Sequence, residues 1–368
     1  MKRRTFVTAA ATGSAALTAP VIARAQAQIK WRLASSWPKN LDTIYGAAEV
    51  MAKRVAEATG GRFDIQVAGP GELVPAFQVA DAVQQGTVEC AHTASGFFYG
   101  KDPAFAFDNS VPFGLTSRQM TSWIYQGEGA ELLREFYRDY NIVSFPCGNT
   151  GAQMAGWFRK ELKSLEDVKG LKFRSGAFGG AVWQLLDVVP QNIPGGEIYT
   201  ALERGTIDGA EFVGPYDDER LGLHKAAKYY YYPSFVEPCG QIVLYVNAKA
   251  LDSLPKEYRQ ILELACAYAH TDMQAKYDVR NPQALKRLVG GGVQLRHLPR
   301  DIVETAYTRS WEMYEDLASK NPRWKKFLDS SMRFRDDQIQ WSRFSEGGYD
   351  GMVAAVRSTQ ARARAGSK

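Results

Sequence analysis

The sequence has few of the residues, and none of the motifs, that most often carry catalysis or structural metal binding. Its 368 residues include four cysteines and four histidines, with no CxxC pair and no zinc-finger spacing between them. No GxSxG, HExxH or P-loop motif occurs. These absences argue against a zinc finger, a serine hydrolase of the GxSxG type, an HExxH zinc protease and a P-loop nucleotidase.

The four cysteines favour free thiols over disulfides. Cys90, Cys147, Cys239 and Cys266 would allow three pairings in an oxidising compartment. A chain of this length does not need a disulfide framework to fold. We therefore expect buried, unpaired thiols.

The first 27 residues are expected to be an export signal. No run of 18 apolar residues lies outside them, so no membrane-spanning helix is predicted. Lys2-Arg3-Arg4 begins the segment, an apolar stretch from Phe6 to Ile22 follows, and Ala23-Arg24-Ala25 or Ala25-Gln26-Ala27 offers a cleavage site. The paired arginines are similar to a twin-arginine signal, with an ordinary secretory leader as the alternative. Either route predicts a protein outside the cytoplasm, in the periplasm.

The net charge argues against nucleic-acid binding. The whole chain carries a formal charge of +5. The predicted signal contributes Lys2, Arg3, Arg4 and Arg24 and no acidic residue, so its removal leaves +1. A basic surface that would bind a phosphate backbone is therefore not indicated.

The order of predicted elements indicates an α/β fold long enough for two domains. The chain is 45% hydrophobic and 23% charged, which is ordinary for globular proteins. A strand that begins at Ile29, a helix over Ile44–Thr59 and a strand over Phe63–Val67 start an alternation that continues along the chain. This alternation favours mostly parallel sheets.

An internal repeat predicts two similar lobes that face each other. Residues Asp81–Ala91 and Thr200–Ala210 each resemble a helix end, a capping glycine and a short strand, and similar strands precede both. A coincidence of two helix ends is the alternative. We expect lobe I to comprise residues 28–150 and 240–280, lobe II residues 151–239 and 281–335, and a C-terminal helical extension residues 336–368.

The stretch from Ser164 to Asp218 places charged residues near the ends of two predicted strands. One strand, over Leu171–Ser175, carries Arg174, and another, over Thr206–Phe212, carries Glu211. In open α/β sheets, ligands bind at the ends of strands, so this guanidinium and this carboxylate are candidates for a ligand site. The helices predicted between these strands cover Ala181–Val189 and Glu197–Arg204.

Two motifs in this stretch resemble the solute-binding proteins of tripartite ATP-independent periplasmic (TRAP) transporters. They are GLKFRS and, after a helix-sized gap, EIYTALERGTIDGAEF, and the similarity extends from about Ile29 into the 340s. The resemblance implies a two-lobed, periplasmic-binding-protein-like architecture with a hinged cleft and extra C-terminal helices. It also implies a TRAP permease as the membrane partner and a carboxylate clamp at Arg174.

The continuation EFVGPYDD and the later FVEP resemble the subgroup that binds a 2-oxo acid together with a metal ion. This resemblance implies a small monocarboxylate: a 2-oxo acid such as pyruvate or 2-oxobutyrate, or a 2-hydroxy acid such as lactate. Gln153 falls where the subgroup has an amide that touches substrate and metal, with a surface-loop glutamine as the alternative. A tryptophan commonly follows the first glutamate of the subgroup, and this chain has Phe212 there.

The residue types at these positions suit a carboxylate and a cation. The planar fork of Arg174 can pair with a carboxylate through two parallel hydrogen bonds. Glu211, Glu237, Gln153 and the main-chain oxygen of Phe212 are oxygen ligands that hard cations prefer. With a monoanionic ligand the formal charges of the site sum to −2, which favours Ca²⁺, while the resemblance also allows Na⁺.

Alternatives to this interpretation remain open from sequence. Glu211 and Glu237 could be the paired carboxylates of a glycosidase, but Arg174 would neutralise one of them and no general acid is evident, so no enzyme is expected. The two glutamates could instead pair with surface lysines or arginines. A receptor for another organic anion, such as a dicarboxylate, would need no metal.

Aromatic residues raise two further hypotheses. Tyr99, in a Phe-rich segment, is predicted either to contact the ligand or to pack in the core. Trp341, Phe344 and Tyr349 lie among charged residues beyond the predicted lobes. The resemblance implies that such an extension can form a homodimer, with a helix packed on its own lobe as the alternative.

Overall fold

The computed structural model describes residues 28–366. The predicted export signal, residues 1–27, lies outside the described residues. Within residues 28–366, no helix combines the length and the apolarity that crossing a membrane would require.

Two β-sheets form the framework of the described chain. The strands are β1 (Ile29–Ser35), β2 (Phe63–Ala68), β3 (Cys90–Thr93), β4 (Ile142–Asn149), β5 (Gly156–Phe158), β6 (Lys172–Arg174), β7 (Val189–Gln191), β8 (Gly209–Ala210), β9 (Tyr229–Tyr232), β10 (Gln241–Asn247) and β11 (Gln294–His297). The first sheet has the order β2-β1-β3-β10-β4, and the second has the order β11-β9-β5-β8-β6-β7.

The two sheets repeat one topology. In the first sheet β1 is parallel to β2 and β3, and β3 is antiparallel to β10. In the second sheet β6 is parallel to β7 and β8, and β8 is antiparallel to β5. Gly86 and Gly205, the capping glycines of the internal repeat, both have left-handed backbones, with φ of 75° and 71°. The sequence repeat therefore corresponds to a structural repeat, and β11 is an added edge strand.

Helices cover the sheets and connect them. They are α1 (Ile44–Ala58), α2 (Val79–Gln85), α3 (Ser117–Gln126), α4 (Gly129–Arg138), α5 (Ala177–Gln184), α6 (Ile198–Glu203), α7 (Pro215–Leu221), α8 (Leu223–Ala226), α9 (Ala248–Ser253), α10 (Lys256–Gly290), α11 (Arg300–Lys320), α12 (Pro322–Phe344) and α13 (Glu346–Gly366). The architecture is thus mixed α/β, with additional helices at the C-terminal end.

Two boundaries predicted in the central stretch are wrong. The helix predicted over Ala181–Val189 is α5, which ends at Gln184, and Val189 begins β7. Asp187 has φ of 62°, a left-handed conformation that interrupts a right-handed helix. The strand predicted over Thr206–Phe212 is confined to β8, so Glu211 follows the strand in a loop.

The long helix α10 and helix α7 tie the two halves of the molecule together. Tyr277 of α10 donates a hydrogen bond of 2.5 Å to Asp217 of α7. Arg280 of α10 donates one of 3.0 Å to Asp42, in the loop after β1. Arg220 of α7 donates to the main-chain oxygen of Asn40 in the same loop, at 2.9 Å. The loop after β1 is therefore held against elements of the second half.

Core packing accounts for the cysteines and for most of the tyrosine run. All four cysteines are buried and free, which confirms the expectation of unpaired thiols. In β9, Tyr230 and Tyr231 are fully buried. The Tyr230 ring stacks on Trp157 with 3.8 Å between ring centroids. The tyrosine run thus serves mainly to pack the second sheet.

Candidate functional site

A small cavity lies where strands of both sheets end. The empty space between its lining residues is about 330 Å³, including the part that opens to solvent. Segments that follow β1 and β3 wall it from the first sheet, and segments that follow β6 and β8 wall it from the second. Its lining residues are Trp37, Ile44, Ala94, Phe97, Asn109, Thr150, Gln153, Arg174, Gly176, Glu211, Phe212, Val213, Glu237 and Ile242.

Five of the six predicted site residues line this one cavity: Gln153, Arg174, Glu211, Phe212 and Glu237. The structure does not bring Tyr99 to it. The Tyr99 ring packs on Phe178, with ring centroids 4.6 Å apart, and burial raises the pKa of its hydroxyl. Phe97, two residues earlier, supplies the aromatic wall instead. Tyr99 therefore has the packing role that sequence analysis had left open.

Arg174 is a buried cation held by main-chain carbonyls. Its side chain is 2% exposed. Its Nε donates to the Ile193 oxygen at 3.0 Å, and its Nη1 donates to the Glu211 oxygen at 2.6 Å. Within residues 28–366 no acceptor is bonded to Nη2. The guanidinium is thus oriented by the backbone while one nitrogen keeps its donors for a ligand.

Glu211 lies beside this guanidinium. Its Oε2 is 3.6 Å from Arg174 Nη1, and the main-chain N–H of Gly176 donates to the same oxygen at 3.2 Å. Burial raises the pKa of Glu211, and the positive charge of Arg174 partly opposes this shift. The sequence predicts that Arg174 and Glu211 belong to one site, and this geometry is consistent with that prediction.

Glu237 approaches from the connection between β9 and β10. Ser234 Oγ accepts hydrogen bonds from the main-chain nitrogens of Val236 at 3.1 Å and Glu237 at 3.2 Å, which fixes this turn. Burial and the nearby charge of Glu211 raise the pKa of Glu237 well above its usual value. The two glutamates therefore repel each other when both are ionised.

Gln153 presents an unpaired amide oxygen to the cavity wall. Its side chain is 6% exposed, so the surface-loop interpretation is wrong. Its Nε2 donates to Thr150 Oγ1 at 3.2 Å, whereas its buried Oε1 has no hydrogen-bond partner among the described residues. A buried acceptor without a partner carries a free-energy penalty that a cation would remove.

Gly240 allows these groups to converge. A Cβ atom at this position would lie 2.4 Å from Gln153 Nε2, 2.5 Å from Thr150 Oγ1 and 3.1 Å from Glu237 Oε2. The first two distances are too short for any side chain. The close approach of amide, hydroxyl and carboxylate therefore requires glycine here.

Within residues 28–366 no group of three or more His, Cys, Asp or Glu side chains is arranged to hold a metal ion. A cation in this cavity would instead have two carboxylates and neutral oxygens, from Gln153 and from the Phe212 main chain. That donor set is one that Ca²⁺ and Na⁺ accept. The residues present thus fit a hard cation.

Sequence reasoning missed the wall contributed by the first sheet. Trp37 and Asn109 are both at most 5% exposed and line the cavity, and Asn109 Nδ2 donates to the Gln241 oxygen at 2.9 Å. A usable signal was present, because Trp37 follows β1 as Gly176 follows β6 in the repeated topology. The rule that ligands bind at strand ends was applied to one sheet only.

Two buried aspartates support the loop that carries Glu211 and Phe212. Asp218 accepts hydrogen bonds from Trp157 Nε1 at 2.9 Å, Tyr230 Oη at 2.7 Å and the Val213 nitrogen at 3.3 Å. Asp217 accepts one from Tyr277 Oη, and its Oδ1 has no partner among the described residues. Burial raises the pKa of Asp218 to about 6 and that of Asp217 to about 7.

Two α/β halves of one topology around a buried, charge-lined cavity define a solute-binding receptor of the two-lobed class. Residues 33–321 match the family model for bacterial extracellular solute-binding proteins, family 7 (DctP). The chain belongs to this family. It is therefore an extracytoplasmic solute receptor and not an enzyme, and the TRAP resemblance and the two-lobed fold are confirmed.

A similar protein belongs to the same class of receptor. The chain is 48% identical over 327 residues to a monocarboxylate 2-oxoacid-binding periplasmic protein of Nostoc sp. strain PCC 7120, covering 89% of this chain and 90% of that protein.

Two crystal structures of TRAP solute-binding proteins are similar over most of the chain. One, from Bordetella bronchiseptica RB50, has 45% identity and a TM-score of 0.89, and the match covers 91% of this chain and 99% of that chain. It is a mixed-occupancy dimer with copurified calcium and picolinate in one site and an apo second site. The other, from Pseudoalteromonas atlantica T6c, has 39% identity and a TM-score of 0.84, covers 88% and 98%, and holds sodium and pyruvate.

Lowering the pH from 7 to 5 is expected to stabilise the protein through Asp217. Because its folded pKa of about 7 lies above the usual 3.8, the folded state binds more protons than the unfolded state in this window, and the free energy of unfolding falls as pH rises. Asp217→Asn should remove about 2 kcal/mol of the difference in unfolding free energy between pH 5 and pH 7. Urea unfolding at both pH values measures this difference.

The control is Asp350→Asn, at an exposed aspartate in α13, which should keep the wild-type pH dependence. An Asp217→Asn protein whose unfolding free energy changes with pH as much as the wild type would contradict the assignment.

Proposed function

We propose that this protein captures a small monocarboxylate together with a metal ion, Na⁺ or Ca²⁺, and delivers it to a TRAP permease. The ligand is a 2-oxo acid such as pyruvate or 2-oxobutyrate, or a 2-hydroxy acid such as lactate. One observation carries the proposal: a single buried cavity contains Arg174, two glutamates and the unpaired amide oxygen of Gln153. The ligands of the Nostoc, Bordetella and Pseudoalteromonas proteins support it.

Arg174 is the proposed carboxylate contact. Its fixed guanidinium lines the cavity, and charge-assisted hydrogen bonds to a carboxylate are among the strongest that proteins make. The Phe212 ring, whose centroid is 5.6 Å from Arg174 Cζ, covers the guanidinium on one side and keeps water from it. Phe212 and Gln153 would complete the substrate contacts.

The cation would lie among Glu211, Glu237, Gln153 Oε1 and the main-chain oxygen of Phe212. It would supply the positive charge that lets a carboxylate ligand approach two ionised glutamates. With a monoanionic ligand the protein and ligand charges sum to −2, which a divalent cation balances. A dicarboxylate bound without a metal would instead place its second carboxylate against these glutamates. We therefore favour a metal-dependent receptor for a monocarboxylate.

The leader and the oligomeric state complete the proposal. The pair Arg3-Arg4 followed by Thr-Phe-Val supports export by the twin-arginine route to the periplasm. Trp341, Phe344 and Tyr349 are each more than half exposed on α12 and α13, and exposed apolar side chains grouped in this way are typical of protein interfaces. The dimer of the Bordetella protein supports a homodimer, and we place its interface on these helices.

Arg174→Ala is expected to weaken pyruvate binding by on the order of 2–5 kcal/mol, because it removes one partner of a buried charge pair. Arg174→Lys should also bind poorly, since the planar fork is lost. Calorimetry measures both, and circular dichroism verifies folding. Arg159→Lys, at an exposed arginine directly after β5, is the matched control and should bind normally. Wild-type affinity in either Arg174 variant would contradict the assignment.

Pyruvate and the cation are expected to bind cooperatively, because the cation offsets the repulsion between the two glutamates and the carboxylate of pyruvate. Protein stripped of metal and dialysed free of sodium should bind pyruvate weakly, and calcium or sodium should restore the affinity. The Glu211→Gln, Glu237→Gln double variant loses both the cation ligands and the repulsion, so its affinity for pyruvate should not respond to either cation. The control pair Glu161→Gln, Glu203→Gln, outside the cavity, should respond like the wild type. Full affinity without any cation would instead favour the metal-free receptor.

The mature protein is expected to have twice the mass of one chain by light scattering at micromolar concentration. Replacing Trp341, Phe344 and Tyr349 together by serine should give the mass of a single chain, because the apolar contact is removed. Leu264→Ser, at another exposed apolar residue on α10, should leave the mass unchanged. A wild-type protein with the mass of one chain would show that the extension does not dimerise.

A further inference from the structure

Trp37 lines the cavity from the side of the first sheet and has an unpaired hydrogen-bond donor. Its side chain lines the cavity and is 4% exposed, and its Nε1 is buried without a partner in the described part of the chain. The main-chain nitrogen of Trp37 donates to Ser35 Oγ at 3.2 Å, and its ring contacts Phe97, with centroids 5.5 Å apart. The indole is therefore held in place although its donor is unused.

The loop that carries Trp37 is fixed from the opposite side as well. Arg220 donates to the Asn40 oxygen, and Tyr216 Oη donates to Asp42 Oδ1 at 2.9 Å. Both donors belong to α7, which follows the Glu211 segment. The loop that carries Trp37 is thus held in place without help from a ligand, which limits the conformational entropy lost on binding.

We propose that Trp37 Nε1 donates a hydrogen bond to the oxygen on C2 of the bound acid, and so selects 2-oxo and 2-hydroxy acids over acids without that oxygen. This inference rests on the proposed function. Arg174 and the cation ligands lie on the second sheet and on the connections between the sheets. From that side, Arg174 and the cation would bind the carboxylate of the acid. The indole approaches from the first sheet and needs a further acceptor.

An acid without an oxygen on C2 offers no such acceptor. Its binding would leave Nε1 buried and unpaired, and sites built around a hydrogen bond discriminate strongly against analogues that lack it. Pyruvate and propanoate differ at this position and share the carboxylate and the three-carbon chain. The change in the ratio of their affinities when Trp37 is replaced therefore reports on the Trp37 contact.

The experiment is calorimetry of pyruvate and propanoate, in calcium, with wild type and Trp37→Phe. The substitution removes the N–H and keeps an aromatic ring. Wild type should prefer pyruvate, and the variant should lose about tenfold to a hundredfold of that preference. Trp183→Phe is the matched control, because Trp183 is also buried with an unpaired Nε1 but does not line the cavity. It should keep the full preference.

A second readout needs no substitution in the measured protein. With ¹⁵N-labelled tryptophan, the indole N–H signal of Trp37 should move downfield on addition of pyruvate and not of propanoate. An unchanged preference in a folded Trp37→Phe protein, an equal loss for both acids, or an unmoved indole signal on pyruvate saturation would overturn the inference and leave the proposed function standing. A wild type that binds neither acid would overturn both.

Discussion

The burial of Arg174 is the constraint on which the site depends. A guanidinium loses several kcal/mol of hydration when it is taken from water, so it needs acceptors and negative charge around it. Two main-chain carbonyls and Glu211 supply them. A second carboxylate, Glu237, exceeds what one arginine can balance, and burial together with the charge of Glu211 raises its pKa. With both glutamates ionised, the protein charges of the cavity sum to −1, and a monoanionic ligand brings the sum to −2, so a cation and the ligand balance the site together.

The connections between the two sheets supply two of the proposed cation ligands. Two short connections pass between the sheets, one after β4 and one before β10, and they hold Gln153 and Glu237. They are bonded to each other: the Thr150 nitrogen donates to the Gly240 oxygen at 2.9 Å, and the Gln153 nitrogen donates to the Glu237 oxygen at 3.1 Å. In receptors that close by a hinge, such connections absorb the motion. A cation bound to both would fix the hinge segments and the second sheet in one arrangement.

The sequence predicted the parts of this site that local rules describe. Arg174 and Glu211 stand at strand ends that glycines and apolar alternation mark, and Glu237 precedes a proline in a turn. The helix α5 was misplaced because a left-handed aspartate, Asp187, has no strong sequence signal. Tyr99 and Phe97 could not be separated from sequence, because both lie in one aromatic segment and only the packing of Phe178 decides which ring faces the cavity. Contacts across the two sheets depend on tertiary structure and not on spacing.

The two walls of the cavity differ in charge, and this difference predicts an order for the binding events. The side chains contributed by the first sheet and its loops, among them Trp37, Phe97, Asn109 and Ile242, carry no charge. The charged residues, Arg174, Glu211 and Glu237, lie on the second sheet or on a connection to it. An ionic ligand and a cation are therefore attracted to the second sheet first, where they replace lost hydration with charge pairs. The uncharged wall can then close over them at a small desolvation cost, because it gives up few strong contacts with water. If the closing wall carried a charge, that charge would also be buried and would need a partner. A ligand with one negative charge cannot balance it as well.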